Sequence, residues 1–372
     1  MSKLRIGVIF GGRSGEHEVS LVSAGSVINA LDRAQYDVVP IGITQQGRWV
    51  SSGRALDVLK AKTGIDGEPE RFLVPEPNRR GLVSLDSREA LARIDVIFPV
   101  LHGTYGEDGT IQGLLELANI PYVGAGVLGS ALGMDKIVQK QLFEQAGLPI
   151  ARYLWFVSSV CQKEPKRVVA AAEKKLKYPM FTKPANTGSS VGISKAHHRS
   201  ELLAGIAMAA QYDRKIVIEQ GVNSLREIEC SVLGNDEPFA SVTGEIIPSN
   251  EFYDYDAKYV DGKSEAVVPA DLPKKVMREI QKLAIEAFRV LDCAGMARVD
   301  FFVTKKKHRI YLNEINTIPG FTSISMYPKL WEASGISYPA LLDKLISLAL
   351  ERHAEKNNIN TTYNPTRDWY KG

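Results

Sequence analysis

Three apolar, β-branched runs near the start of the chain, LRIGVIF at 4–10, DVVPIGI at 37–43 and DVIFPVL at 95–101, constrain the fold more than any other feature. Helical patterns and turns separate them, which predicts a parallel sheet of βα units, an N-terminal α/β domain. Residues 52–90 lie between the second and third runs and mix Gly, Pro, Ser and charge without periodicity, so they read as an irregular excursion. The first apolar run ends at once in a glycine turn, so the N-terminus reads as a strand and not a signal peptide. No later apolar stretch is long enough to span a bilayer.

A chain of 372 residues exceeds one ordinary core, and a prior of roughly 150 residues per domain predicts two or three packed units. A smaller α+β unit begins near Met134, with helices at 136–146 and 165–177, the strand-like YPMFTKP and the glycine-rich ANTGSSVGIS. KIVIEQ, IECSVLG and PFASVTGEI then read as strands, with Asn235 and Asp236 at a turn between the last two. Val276, Ile280, Leu283, Ala284, Ala287, Phe288 and Leu291 share one face of a helix over 273–291, with Pro273 suited to its first turn. Strands at 298–303 and 309–315 and a helix at 338–353 follow. The expected division is 1–134, 135–222, 223–355 and a polar tail, 356–372.

Composition narrows the class. Hydrophobic residues at 44% and charged residues at 24% match a soluble globular protein. A net charge of +3, with only 305–309 as a tight basic run, leaves no nucleic-acid footprint. Cys161, Cys230 and Cys293 lack metal or redox spacing and read as inert core thiols in a reduced, cytoplasmic setting.

The chemistry concentrates in RVDFF and YLNEIN. Strand side chains two apart share a face, so Arg298 lies with Asp300, and Glu314 with Asn316. A hairpin in suitable register would gather two carboxylates and an amide as hard oxygen ligands for Mg²⁺, with Arg298 beside them for developing negative charge. Gly188 and Gly192 flank two serines directly after a strand carrying Lys183, so backbone N–H groups and an ammonium would gather around phosphates. This is not a Walker loop, because no glycine is followed by Lys and Ser/Thr in order. Glu219 ends an apolar strand and Glu227 follows a turn, suiting an adenine amino group and a ribose. GGRSGEHEVS places Glu16 near a helix start, and its glycine spacing excludes the GxGxxG dinucleotide signature. His102 follows the third strand's carboxyl end, where open α/β sheets put ligands. Lys258 and Tyr259 sit on an aromatic loop, YDYDAKY. Each feature alone has a bland alternative, a solvated face, a plain glycine turn or a surface loop packed by its own tyrosines.

In their order, GGRSGEHEVS, LHGTYGEDG, MDK, KPANTGSSVG, EQGVNSLREIE, YDYDAKY, ARVDFF and NEINTIPGFTSISMYPKL resemble the D-alanine:D-alanine ligases of the ATP-grasp superfamily, over about 4–352. The resemblance implies a two-part ATP-grasp fold after the N-terminal domain, and ATP with two Mg²⁺ (or Mn²⁺) ions. It implies Lys136 and Lys183 as phosphate contacts, Glu219 with backbone at Gln220 and Val222 as the adenine site, and Glu227 on ribose. Asp300, Glu314 and Asn316 would hold metal, and Lys258 the terminal phosphate. Glu16 would anchor the first D-alanine's ammonium near His102, with Ser189 and Tyr259 in a hydrogen-bonded chain to Glu16. Ser325 and the Met326 N–H would meet the second carboxylate, and Arg298 with the Gly320 N–H an oxyanion. Relatives that make D-alanyl-D-lactate lack a tyrosine at the position of Tyr259, so its presence implies a dipeptide product. The implied partners are two D-alanine molecules and a second copy of the chain, with no nucleic acid or membrane, in a peptidoglycan-building role. Rivals are an ATP-grasp ligase using D-lactate or D-serine, a silent nucleotide-binding module, which would be expected to lose Arg298, Asp300 or Glu314, and a nicotinamide dehydrogenase, disfavoured by the glycine spacing.

Overall fold

The computed structural model describes residues 3–84, 90–248, 265–322, 324–363 and 366. Strand β1 (Leu4–Gly11) runs into helix α1 (His17–Ala30) and then into β2 (Tyr36–Ile43), and the short β3 (Trp49–Val50) forms an antiparallel edge. After α2 (Ala55–Ala61) come β4 (Arg71–Leu73), β5 (Gly81–Ser84) and β6 (Ala90–Arg93), which pair antiparallel as a separate three-stranded sheet. Strand β7 (Val96–Val100) returns to the first sheet, whose order is β3-β2-β1-β7 with β1 parallel to both neighbours. Helices α3 (Thr110–Leu117) and α4 (Val127–Met134) follow.

A parallel sheet is buried on both faces, which is why its strands are continuously apolar. Ile6, Val8 and Phe10 face α1 together with residues 341–346 from the far end of the chain, and Ile9 faces α3 with Leu73 and Leu82. Residues 52–90 are therefore not the irregular excursion that composition suggests. Their described part forms a helix and two strands of a small sheet, and the leucines Leu73 and Leu82 of that sheet close the second face. Strands of three or four residues are too short to show a period.

The central unit opens with α5 (Lys136–Gln145), capped by Asp135, whose carboxylate accepts the Ile137 and Val138 N–H at 3.0 and 3.1 Å. Strand β8 (Tyr153–Val157), helices α6 (Ser158–Lys163) and α7 (Pro165–Lys175), β9 (Met180–Pro184), β10 (Ser194–Ala196), α8 (Arg199–Ala209) and β11 (Lys215–Gln220) complete it. The sheet order is β10-β9-β11-β8, all antiparallel. Met180, Ile216 and Ile218 pack under α7 and α8. The period of two then turns Phe181, Lys183 and Glu219 to the opposite, open face.

Strands β12 (Leu225–Gly234), β13 (Phe239–Ile247) and β14 (Glu265–Val267), helix α9 (Lys274–Val290), and strands β15 (Gly295–Thr304) and β16 (Ile310–Asn316) build the third unit. Its antiparallel sheet has the order β14-β13-β12-β15-β16. Ile280, Ala284, Ala287 and Phe288 of α9 bury the face carrying Cys230, Val232, Val299 and Phe301. Pro273 stands at the N-cap of α9, one place before its expected first turn. Helix α10 (Met326–Ala333) and α11 (Tyr338–Asn357) end the fold, α11 running one turn beyond the expected 353 and taking the start of the expected polar tail. Leucines 341, 342 and 345 of α11 join Phe321, Tyr327 and Trp331 to the β1 face, so the first and third units share one core. All three cysteines are buried and free, and burial raises the Cys161 thiol to about 11.

Candidate active site

A cleft of about 540 Å³ opens between the bare faces of the central and third sheets. That size lies within the range of roughly 300–1,000 Å³ typical of small-ligand sites. Strand β15 meets β16 with Asp300 opposite Glu314 and Arg298 opposite Asn316, so all four line the cleft. The register slips between Asp300 and Phe301, because Leu312 faces Phe301 and Asn313 is the extra residue of a bulge. The bulge turns Asn313 as well as Glu314 into the cleft.

Charge in this hairpin is tightly paired. Arg298 donates to both oxygens of Asp300 at 2.8 and 2.7 Å and lies 3.0 Å from Glu229, and the Asn316 amide donates to Asp300 at 3.0 Å. Burial works against the guanidinium's charge, but Asp300 and Glu229 outweigh it and hold Arg298 protonated. Among the described residues, no three His, Cys, Asp or Glu side chains form a metal-holding cluster. Two carboxylates and one amide oxygen suit instead a hard cation that brings phosphate and water oxygens as its remaining ligands.

Across the cleft, Glu219 is 3% exposed and sits between two ammonium groups, Lys140 at 2.6 Å and Lys183 at 2.7 Å. Burial would raise this carboxyl, but the two lysines dominate and depress it to about 2. Burial pushes Lys140 below the ordinary lysine value, and Lys183 adds repulsion. Lys183 is also desolvated, yet Glu219 and Glu314 prevail and leave it above that value. The more enclosed side chain is the one lowered. Lys136, at the first turn of α5, donates to the Thr187 carbonyl at 2.7 Å and lies 3.6 Å from Glu314. Gln220, Val222 and Glu227 line the same cleft.

The glycine-rich loop closes one end. Asp213 anchors it through the Asn186 backbone and side-chain amides at 2.7 and 2.9 Å, and Ser189 and Ser190 take positive φ values of 46° and 60°. Ser189 donates to Glu16, 173 residues earlier. The approach is close: a Cβ on Gly188 would overlap Glu16 Oε2, and one on Gly103 would stand 2.7 Å from it. Glu16 is held at the N-cap of α1 by Ser14, whose hydroxyl accepts the Glu16 N–H at 3.2 Å and donates to the His102 carbonyl at 2.7 Å.

His102 is 4% exposed. Its Nδ1 donates to the Ile318 carbonyl at 3.1 Å, and its Nε2 meets the Ser23 hydroxyl at 3.1 Å. Burial opposes its protonation, but Glu107 at 3.8 Å outweighs burial and raises its pKa. The loop 317–321 thereby rests against His102. Gly320, Ser325 and Met326 follow on that loop and the start of α10, outside the lining of the 540 Å³ cleft. Ser325 Oγ accepts the Thr322 N–H at 3.1 Å and would stand 2.9 Å from a Cβ on Gly320. Lys258 and Tyr259 lie outside the described residues.

Sequence reasoning missed Lys140, Glu229, Asn313 and Glu107. Lys140 is one helical turn beyond Lys136, and Glu229 shares a strand face with Glu227, so periodicity carried a signal for both. Asn313 carried none, because only the bulge brings it into the cleft.

Family models described as "D-ala D-ala ligase N-terminus" and "D-ala D-ala ligase C-terminus" match residues 5–125 and 142–347. A protein of Natranaerobius thermophilus named D-alanine--D-alanine ligase is 52% identical over 98% of this chain and 99% of its own length. Among solved structures, the D-alanine-D-alanine ligase from Coxiella burnetii superposes with a TM-score of 0.84 at 38% identity, covering 96% of this chain and 97% of that one. The VanG D-Ala:D-Ser ligase from Enterococcus faecalis gives 0.83 at 37% identity, covering 94% and 100%.

Proposed function

The chain belongs to the D-alanine–D-alanine ligase family, and on that premise we propose how its cleft carries out ATP-dependent joining of two D-alanine molecules for peptidoglycan synthesis. It is a ligase with an ATP-grasp fold. The first D-alanine's carboxylate attacks the γ-phosphorus of ATP and ADP leaves. The second D-alanine's amine then attacks the acyl carbon, phosphate leaves, and D-alanyl-D-alanine forms.

Lys136 and Lys183 hold phosphates, Glu219 with the backbone at Gln220 and Val222 receives adenine, and Glu227 takes ribose. Asp300, Glu314 and Asn316 would hold two Mg²⁺ or Mn²⁺ ions, which when bound neutralise phosphate charge and favour phosphoryl transfer. Glu16 takes the first ammonium, with His102 beside it. Arg298 and the Gly320 N–H favour oxyanion charge that exists only in the transition state. Ser325 and the Met326 N–H take the second carboxylate, at a helix start where N–H groups face an anion. Lys258 on the terminal phosphate and Tyr259 in the chain to Ser189 complete the assignment by family resemblance. Closure of the Gly188–Ser190 loop over Glu16 excludes water from the acyl phosphate.

The observation that carries this reading is the pairing of Asp300 with Glu314 and of Arg298 with Asn316 across from Lys183 and Glu219. Division at 134/135 and 222/223, with a polar tail from 356, a homodimer and a cytoplasmic place of work belong to the same proposal. In the described residues no helix is long and apolar enough to cross a membrane.

An ADP-release assay over D-alanine, L-alanine, D-serine and D-lactate, with products weighed by mass spectrometry, tests it. D-Alanine should stimulate release and yield the dipeptide. Stimulation by D-serine with a mixed product would favour the D-Ala:D-Ser reading, and no response to D-alanine would sink both.

A further inference from the structure

Lys140 has no part in the reaction as proposed, yet it is the most enclosed cation at the cleft, 2% exposed. It lies on α5 one turn after Lys136 and on the same face. Lys136 reaches the glycine-rich loop, whereas Lys140 passes behind Glu219, with Nζ 2.6 Å from Glu219 Oε1 and 3.3 Å from the Asn313 carbonyl. The other oxygen of Glu219 takes Lys183 at 2.7 Å, and Lys183 lies 3.4 Å from the Asn313 side-chain oxygen. From the interior outward the order is cation, anion, cation. An apolar side chain would fill the same space without the cost of burying a charge.

Without Lys140, the Glu219–Lys183 pair would be neutral as a unit. Lys183 would then meet an anionic ligand with its charge already compensated, at short range in a poorly screened medium. We infer that Lys140 is a positioning residue that neutralises Glu219 from behind, leaving Lys183 with a net positive charge for the phosphates of the nucleotide. The inference rests on the assignment of Lys183 to phosphate and Glu219 to the adenine side. It also explains the bulge at Asn313, which supplies an oxygen to each ammonium and ties both to β16.

The decisive comparison is between ADP and adenosine, because only ADP carries phosphate. Both are titrated calorimetrically, at fixed Mg²⁺, into the full-length wild type, Lys140→Met and the double variant Lys140→Met/Glu219→Gln. Lys140→Met should weaken ADP at least about tenfold, an unscreened charge at this range being worth that much, while adenosine shifts far less. The double variant removes one charge of each sign, and should regain the wild-type ratio of ADP to adenosine affinity even though two buried contacts are gone. A purely structural role predicts the reverse: equal losses for both ligands, and no recovery in the double variant, either of which overturns the inference. Lys140→Gln, which keeps a donor without the charge, replaces Lys140→Met if thermal melting shows the latter unfolded. Wild type that binds neither ligand would refute the nucleotide reading itself, whereas wild type that binds both isolates the test to Lys140.

Discussion

Arg298 and Asp300 are two residues apart on one strand, and their fork-to-carboxylate pairing leaves Asp300 held by Arg298 and Asn316. Replacing Asp300 or Glu314 by alanine should therefore abolish turnover while the melting temperature moves by only a few degrees, since both lie on the open face of the sheet and not under α9. Near-normal turnover in either variant would discredit the metal assignment. Glu219 permits a different test, through pH. Its carboxyl falls from an ordinary 4.5 to about 2 in the folded chain. A depressed folded value stabilises the native state fully above pH 4.5, and that contribution is lost as pH falls toward 2. The stability gap between wild type and Glu219→Gln should shrink by roughly 2 kcal/mol between pH 5 and 3 in urea titrations. A gap that does not change with pH would mean that the two lysines do not depress this carboxyl. Much at this scale was legible beforehand, because Arg298, Asp300, Glu314 and Asn316 follow from strand alternation. Lys140 was harder to see, since a lysine one turn along a helix is ordinarily a solvated side chain.

The glycine-rich loop between β9 and β10, anchored by Asp213 and Lys136, closes on the first unit where it touches Glu16. Gly188→Ala would drive a methyl group into the Glu16 carboxylate and lift the loop. Misplacement on the scale of 1 Å typically lowers rates by about a hundredfold. The expected outcome is a fall of that order in dipeptide formation, together with a rise in ADP released per dipeptide as water reaches the acyl phosphate. An unchanged ADP-to-dipeptide ratio would show that this closure does not exclude water. Helix α9, with its sustained period, could be read to within a residue at each end, whereas β15 begins three residues before its expected start. The helix α2 and the short strands β4 and β5 within 52–90 could not, because segments of three to seven residues are too short to show a period.

Across the whole molecule, the first sheet depends on the last helix. Ile6, Val8, Phe98 and Val100 share a core with Phe321, Tyr327, Trp331 and the leucines of α11, and the Phe98 and Phe321 rings meet edge to face at 5.7 Å. Phe321→Ala should lower stability by about 3–5 kcal/mol, and a fragment of residues 1–134 should lack a cooperative melt, because one face of its sheet keeps α1 but loses the part of its cover that Phe321, Tyr327, Trp331 and α11 supply. A fragment that unfolds cooperatively near the full-length melting temperature would show that the first unit folds alone. By itself the sequence determined the kinds of element outside 52–90, the fold family through its ordered motifs, and the open-face residues of β15 and β16, since these depend on local periodicity and on the chemistry of short segments. Only the tertiary structure decided that Lys140 stands behind Glu219, that a bulge turns Asn313 inward, and that α11 seals β1. Lys140 with Glu219 and α11 with β1 join segments distant along the chain, brought together by the burial of apolar faces elsewhere, and a bulge is a matter of pairing register; no local pattern records either.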